Sequence, residues 1–265
     1  MKHHFLFLIS CIAILQGIHA QSDTVWHHKK CAVVLTYDDA INQHLDNAVP
    51  VLDSLNLKAT FYITAFSKSI QTRLNDWKKL PTNGHELGNH TLFHPCIGGA
   101  GREWVSADYD MTHYSIKRML DETKMTNVFL EALDGKKERT FAFTCGDMKI
   151  GDSSFINSMK NDFVAARAVR NEMHTIDKID LYNIDCFAIN NNTAAEIIEW
   201  VKQAEQTHSL LVILFHGVGG GNSLNISVEE HSKFLHYLKQ NEKNIWITTM
   251  IDAAEYIKNY QAKNK

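Results

Sequence analysis

The sequence has no surplus of basic charge: 27 lysines and arginines stand against 30 aspartates and glutamates, a formal net charge of −3. Proteins that track nucleic acid or an anionic membrane surface carry an excess of Lys and Arg, so neither is an expected partner, and the balance favours a neutral substrate. Beyond residue 20 no apolar run approaches the roughly 18 residues of a membrane helix, so no stable membrane insertion is expected. The cysteines do not have zinc-knuckle spacing, and there is no repeat, linker or low-complexity segment. The glycine-rich stretch from Gly217 to Ser223 lacks the Lys-Ser/Thr ending of a phosphate loop and the spacing of a dinucleotide fingerprint. It reads as a flexible rim loop.

What is present begins with Met1-Lys2-His3-His4, a short basic lead, then an apolar run over 5–15 and Gly17-Ile18-His19-Ala20. That is the build of a secretory signal peptide over residues 1–20, which makes 21–265 the mature chain and places it outside the cytoplasm: periplasmic, extracellular or on the cell surface. Cleavage before Cys11 as a lipoprotein would strand residues 12–15 in the mature chain and is disfavoured. Export leaves Cys31, Cys96, Cys145 and Cys186, an even number compatible with disulfides in any of three complete pairings, or with some buried thiols. About 245 residues suit a single α/β unit. Oligomeric state is not legible.

Apolar runs alternate with helical patterns along the whole chain. Strands are expected at 31–37, 59–63, 85–88, 140–143, 163–167, 182–188, 210–215 and 245–248. Helices are expected at 42–56, 69–80, 111–133, 153–160, 194–206 and 228–240, with a final one running to about Tyr260. This alternation indicates a parallel sheet covered by helices, most economically a distorted (β/α) barrel, TIM-like, in which all strand C-termini share one face.

Polar residues gather at those ends. Asp38 and Asp39 follow the first strand, His90 and His94 follow the third, and His216 follows the most hydrophobic one. Two adjacent carboxylates at a buried strand end need a compensating cation or proton, although Asp39 also suits a helix N-cap. His90 and His94 are four apart, so one helical turn would aim both imidazoles at one ion. In a chain with 15 histidines that spacing also arises by chance.

Thr36-Tyr37-Asp38-Asp39-Ala40, His90-Thr91-Leu92-Phe93-His94-Pro95 and Ile213-Leu214-Phe215-His216 resemble the first, second and fifth motifs of the polysaccharide deacetylases, the NodB-homology or family four carbohydrate esterases. The resemblance spans roughly residues 30–256 and implies a barrel of about seven strands. It further implies a divalent metal, usually zinc, held by Asp39, His90 and His94, with Asp38 as general base and His216 as general acid. The expected substrate is an acetylated oligo- or polysaccharide, foremost the N-acetyl groups of an N-acetylglucosamine-containing glycan. The alternatives are O-acetyl esterase action on xylan or a similar glycan, and a catalytically impaired carbohydrate-binding protein. Two motifs depart from the family. At the third, R-x-P-Y-G, this chain has Ala142-Phe143-Thr144-Cys145-Gly146, which keeps a backbone N–H at Cys145 for an oxyanion and loses the arginine. Arg167, at the end of the following strand, is the candidate replacement. The fourth motif is not evident, and Asp185 is the nearest candidate for orienting His216.

Overall fold

A computed structural model describes residues 25–264; the segment read as a signal peptide lies outside the described residues. Strand β1 (Cys31–Asp38) is buried along its whole length and organises the sheet. One edge pairs in parallel with β8 (Ser209–Phe215), in a register from Ala32 opposite Leu210 to Tyr37 opposite Phe215. Its other edge is shared. Residues 31–34 pair with β9 (Ile245–Thr248), and residues 36–38 pair with β2 (Thr60–Ile63).

From β2 the sheet continues in parallel through β3 (Glu86–Asn89), β4 (Thr140–Ala142) and β5 (Ala165–Arg167). On the far side of β1, β8 carries the antiparallel β6 (His174–Thr175) and the parallel β7 (Phe187–Ala188). A seven-strand path β5-β4-β3-β2-β1-β8-β6, with β9 and β7 beside it, makes the nine-stranded sheet. Backbone bonds from Ala168 N–H to Ile184 O (2.7 Å) and from Ile184 N–H to Ala166 O (2.9 Å) tie β5 to the segment leading into β7. The curled sheet is thus the distorted, parallel-rich barrel that the alternation predicts.

Period-2 alternation decides which residues face the interior. Val33, Leu35, Tyr37, Phe61, Ile63, Leu211, Ile213 and Phe215 belong to the core under the helices, with Leu52, Ile197, Val201, Phe234 and Leu238. These come from α1 (Val49–Ser54), α4 (Ala194–Thr207) and α5 (Val228–Gln240). Ala32, Val34, Tyr62, Ala142, Ala165, Val212 and Leu214 form the other core, packed on Met250, Ala253 and Ile257 of α6 (Met250–Lys263). Asp38, His90, Arg167 and His216 fall on the same parity as this second set, so strand geometry directs them to the barrel interior.

Several elements differ from their sequence patterns. The 42–56 helix is a π-helical turn over His44–Ala48 followed by the six-residue α1. The 69–80 helix is α2 (Lys68–Trp77), kinked at Arg73, and a separate 3-10 turn at Leu80–Asn83. The 111–133 helix starts late, as α3 (Ile116–Asp134) capped by Ser115, and Val128 lies on its exposed face. No helix forms at 153–160, where Phe155–Ser158 makes a 3-10 turn whose apolar residues sink beside Phe141 and Phe143. Only Phe187–Ala188 of the 182–188 run is strand, because its earlier part bonds to β5. Among the described residues no helix is long and apolar enough to cross a membrane.

Candidate active site

Strand register brings the polar ends together. Asp38 is opposite Tyr62, Ile63 is opposite Asn89, Ala142 is opposite Arg167, and Tyr37 is opposite Phe215. Asp38, Asp39, His90, Arg167 and His216 therefore share one rim. All of these but the fully buried Arg167 line a cavity of about 820 Å³, together with His94 and Cys145 among others.

Asp39, His90 and His94 form a group whose ligand atoms lie within 4.8 Å of one another. Asp39 Oδ1 is 3.2 Å from His94 Nε2 and 3.5 Å from His90 Nε2. His90 Nδ1 lies 2.9 Å from the Ala142 carbonyl, which only accepts, so the proton sits on Nδ1 and Nε2 presents a lone pair to Asp39. Asp39 Oδ1 is buried and has no hydrogen-bond partner of proper geometry. A lone pair facing a buried carboxylate oxygen is unfavourable without a cation or proton between them. Two imidazole nitrogens and one carboxylate oxygen suit a divalent transition metal, so the three residues fit one.

The histidine pair does not use a helical turn. His94 and Thr91 both have left-handed backbones (φ 57° and 64°), and the turn is built from side chains. Thr91 N–H donates to Asn89 Oδ1 (2.8 Å), and His94 N–H donates to Thr91 Oγ1 (2.9 Å). Asn89 Nδ2 in turn donates to Thr123 O (2.9 Å) and Asn127 Oδ1 (2.6 Å) on α3. Asp39 is likewise no helix cap: it has φ 79°, and Asn222 Nδ2 donates to its Oδ2 at 3.2 Å. The stretch from Gly217 to Ser223 is thus a hydrogen-bonded rim that supplies a contact to the site. Gly219 N–H bonds to Ile226 O and Gly220 N–H to Asn225 Oδ1, both at 2.8 Å. His85, five residues before His90, stays outside the site, 3.0 Å from Asp53 Oδ1.

Asp38 is 2% exposed, and its Oδ2 accepts a charge-assisted hydrogen bond from Arg167 Nη2. Arg167 is fully buried; burial alone would favour its neutral form, but the Asp38 carboxylate outweighs that and keeps it charged. Ala142, at the third motif's arginine position, is registered against Arg167 on the adjacent strand, so the guanidinium reaches the interior from β5 instead of β4. The Tyr62 ring lies 5.2 Å from the guanidinium. Gly88 makes room for that ring, since a Cβ there would meet Tyr62 Cδ1 at 2.5 Å. Among the described residues Asp38 Oδ1 has no hydrogen-bond partner.

Burial opposes charge on Asp39, yet the His90 and His94 imidazoles facing it hold its carboxyl well below the usual range. His94 moves up: burial works against it and the Asp39 carboxylate prevails. His216 moves down because burial outweighs the pull of Asp38 and Asp39. Its main chain is pinned by His44, whose Nε2 donates to His216 O at 2.7 Å. Asp185 is not brought to His216: its carboxylate accepts from Arg170 Nε (3.1 Å) and Nη2 (3.0 Å) and faces His174 Nε2 (2.9 Å). Among the described residues His216 Nδ1 has no hydrogen-bond partner.

Of the cysteines, Cys96 and Cys145 form a disulfide with Cα atoms 5.8 Å apart, while Cys31 and Cys186 are free, buried thiols. Among the described residues no complete pairing is realised. The bridge joins the residue after the second motif to the third-motif loop, where Cys145 has φ 55° and lines the cavity. Sequence reasoning missed His44, Asn222 and Trp104, which line or support the cavity without belonging to a strand-end pattern.

With that geometry established, the sequence model described as "Polysaccharide deacetylase" matches residues 27–161, half of the chain. The chain belongs to the polysaccharide deacetylase family. One curated relative, the uncharacterized protein YlxY of Bacillus subtilis (strain 168), is 26% identical over 139 residues, covering 52% of this chain and 36% of that protein. The chain thus spans about a third of that relative's length. Polysaccharide deacetylase folds are also the solved structures it resembles. The peptidoglycan deacetylase PdaC of Bacillus subtilis superposes with a TM-score of 0.54 at 15% identity, over 88% of this chain and 95% of that one. A probable polysaccharide deacetylase from Pseudomonas aeruginosa PAO1 gives a TM-score of 0.61 at 11% identity, over 86% and 91%. A CE4 family pseudoenzyme from Bacillus anthracis gives 0.54 at 16% identity, over 85% and 66%. At these identities the likeness is one of fold.

Proposed function

We propose that this protein is an exported, metal-dependent hydrolase that removes acetyl groups from a glycan, foremost N-acetyl groups on N-acetylglucosamine units. The observation that carries the reading is the convergence of Asp39, His90 and His94 beside a second buried aspartate, open to an 820 Å³ cavity. Those three residues would hold a divalent ion, zinc for preference, which when bound would supply Lewis-acid polarisation of the acetyl carbonyl and of the attacking water. Asp38 takes the proton from that water through its unpartnered Oδ1. Arg167 fixes the carboxylate by its other oxygen and compensates its buried charge. The N–H of Cys145 faces developing negative charge on the acetyl oxygen, a role that needs no particular side chain. His216, on the same rim and lining the cavity, delivers a proton to the leaving amine or alcohol.

The mature chain is residues 21–265, freed from a signal peptide over 1–20, and the Cys96–Cys145 bridge supports an oxidising compartment. The test is acetate release by the mature chain from N-acetylated chito-oligosaccharides and from O-acetylated xylan, after stripping metal and again after adding zinc. Zinc-restored release from the chito-oligosaccharide supports the amide reading, and release from xylan alone moves it to the ester.

A second reading has its own observation. His216 has no carboxylate on Nδ1, so an impaired, glycan-binding protein on this fold is the alternative. No acetate from either substrate, with zinc bound and glycan bound, selects it.

A further inference from the structure

The lining of the cavity includes the apolar side chains of Trp104, Phe143, Val169, Leu214 and Leu224. Trp104 is 64% exposed. It is the most exposed large apolar side chain among the described residues, and the other four tryptophans are buried or partly buried. Leaving an indole in water forfeits a large burial gain, and apolar surface concentrated beside polar groups in a concavity marks a place of contact.

The loop that carries it is fixed on both sides. The Cys96–Cys145 disulfide holds its start against the third-motif loop. Arg102 then reaches across with Nη1 to Asp147 Oδ2 (2.5 Å) and Ile97 O (3.2 Å), and Nη2 to Cys145 O (3.2 Å). Arg102 N–H bonds to Gly99 O at 2.9 Å and Val105 N–H to Arg102 O at 3.0 Å. These bonds bracket Trp104, so the backbone that carries the indole is held before any partner arrives, and the cost of ordering the loop is not charged to binding.

We propose that Trp104 is a stacking platform for a sugar ring of the glycan, in a subsite next to the unit whose acetyl group enters the metal-side pocket. The ring it takes is a β-linked pyranose of gluco or xylo configuration. Such rings carry their hydroxyls equatorially, so the axial C–H bonds make both faces apolar and weakly positive, matching the negative face of an indole. An axial hydroxyl puts a polar group on one of those faces. The inference rests on the glycan reading of the same site and names the part of the substrate that the reacting residues do not touch.

The test uses the mature chain in two states. Metal-free protein is titrated with an oligomer of N-acetylglucosamine while tryptophan emission is followed, with a galacto-configured oligomer as control. The expected result is a shift in emission with the first oligomer, a weaker one with the second, no shift in Trp104→Ala, and binding weakened about tenfold in that variant. Trp104→Phe, which keeps an aromatic face, recovers part of it. With zinc added, Trp104→Ala raises KM for the oligomer about tenfold and leaves kcat within about twofold, while hydrolysis of a sugar-free aryl acetate is unchanged. Equal binding and equal KM in Trp104→Ala and wild type would overturn the platform, as would an equal loss on the aryl acetate, which would mean that Trp104 only shapes the reacting centre. Trp104-dependent binding without acetate release keeps the platform and removes the deacetylase reading.

Discussion

At the scale of single residues, the two adjacent aspartates have different surroundings and should fail differently. Asp39 faces the two imidazoles and Asp38 faces Arg167. On the proposed mechanism Asp38→Asn removes the proton acceptor and spares the three proposed ligands, so turnover should fall by at least about a hundredfold with zinc content unchanged. On the proposed ligand set, His90→Ala should lose the metal, together with the thermal stabilisation expected on adding zinc to the wild type. Metal analysis of both variants after dialysis is the check; equal zinc in His90→Ala and wild type would refute the ligand assignment. Arg167 is the residue whose placement depended most on neighbours. Its sequence position, after a short apolar run, is unremarkable, and only the β4–β5 register against Ala142 puts it in the interior beside Asp38.

At the scale of elements, the loops after β3 and β4 behave as one unit because the disulfide and Arg102 join them. Thr144 Oγ1 also donates to Pro95 O across the same gap. The bridge closes a separation of 49 residues, for which loop-closure entropy gives about 4 kcal/mol at most. The Cys96→Ser, Cys145→Ser double variant should therefore still fold, with Tm lowered by up to roughly 10 °C. Its turnover should drop more than its zinc affinity, because Cys145 lies in the freed loop and Asp39 and His90 do not. Matching unfolding curves for oxidised and reduced wild type would show that the bridge adds nothing to stability. The β3 end shows how local chemistry departs from spacing rules: four-residue spacing predicted a helical turn, and Asn89 and Thr91 built a left-handed one instead.

At the scale of the whole molecule, buried histidines set an acid limit. His44 and His231 lie at the interface of β1, β8 and the helices, and burial pushes them down to about 4 and about 3. His231 Nε2 meets Tyr37 OH at 2.8 Å. Their unfolded values are about 6.5, so between that pH and about 4 the unfolded chain binds more protons than the folded one. The stability from these neutral imidazoles is complete above about pH 6.5 and is lost as pH falls toward 4. The loss is on the order of a few kcal/mol. His85 is shifted in the same direction, and His94 in the opposite one. Guanidinium unfolding at pH 7 and pH 5 should show a steep difference in the wild type and a shallower one in His44→Gln, His231→Gln; equal slopes would remove these residues as the cause.

The sequence alone determined the alternation of strands and helices, the parallel barrel that follows from it, and the gathering of Asp38, Asp39, His90, His94 and His216 at strand C-termini. Those features are local: runs of apolar residues set the strands, and the residue after each run lands on the common rim. Tertiary structure decided what depends on register and on contacts between distant loops. It directed Arg167 rather than a β4 residue to Asp38, drew Asp185 away to Arg170 and His174, and paired Cys96 with Cys145 while leaving Cys31 and Cys186 apart. It also turned residues 153–160 from an expected helix into a 3-10 turn, because Phe155 and Ile156 are buried with Phe141 and Phe143. No spacing rule encodes such outcomes, since each is fixed by a neighbour eleven or more residues away in the chain, beyond the reach of a local pattern.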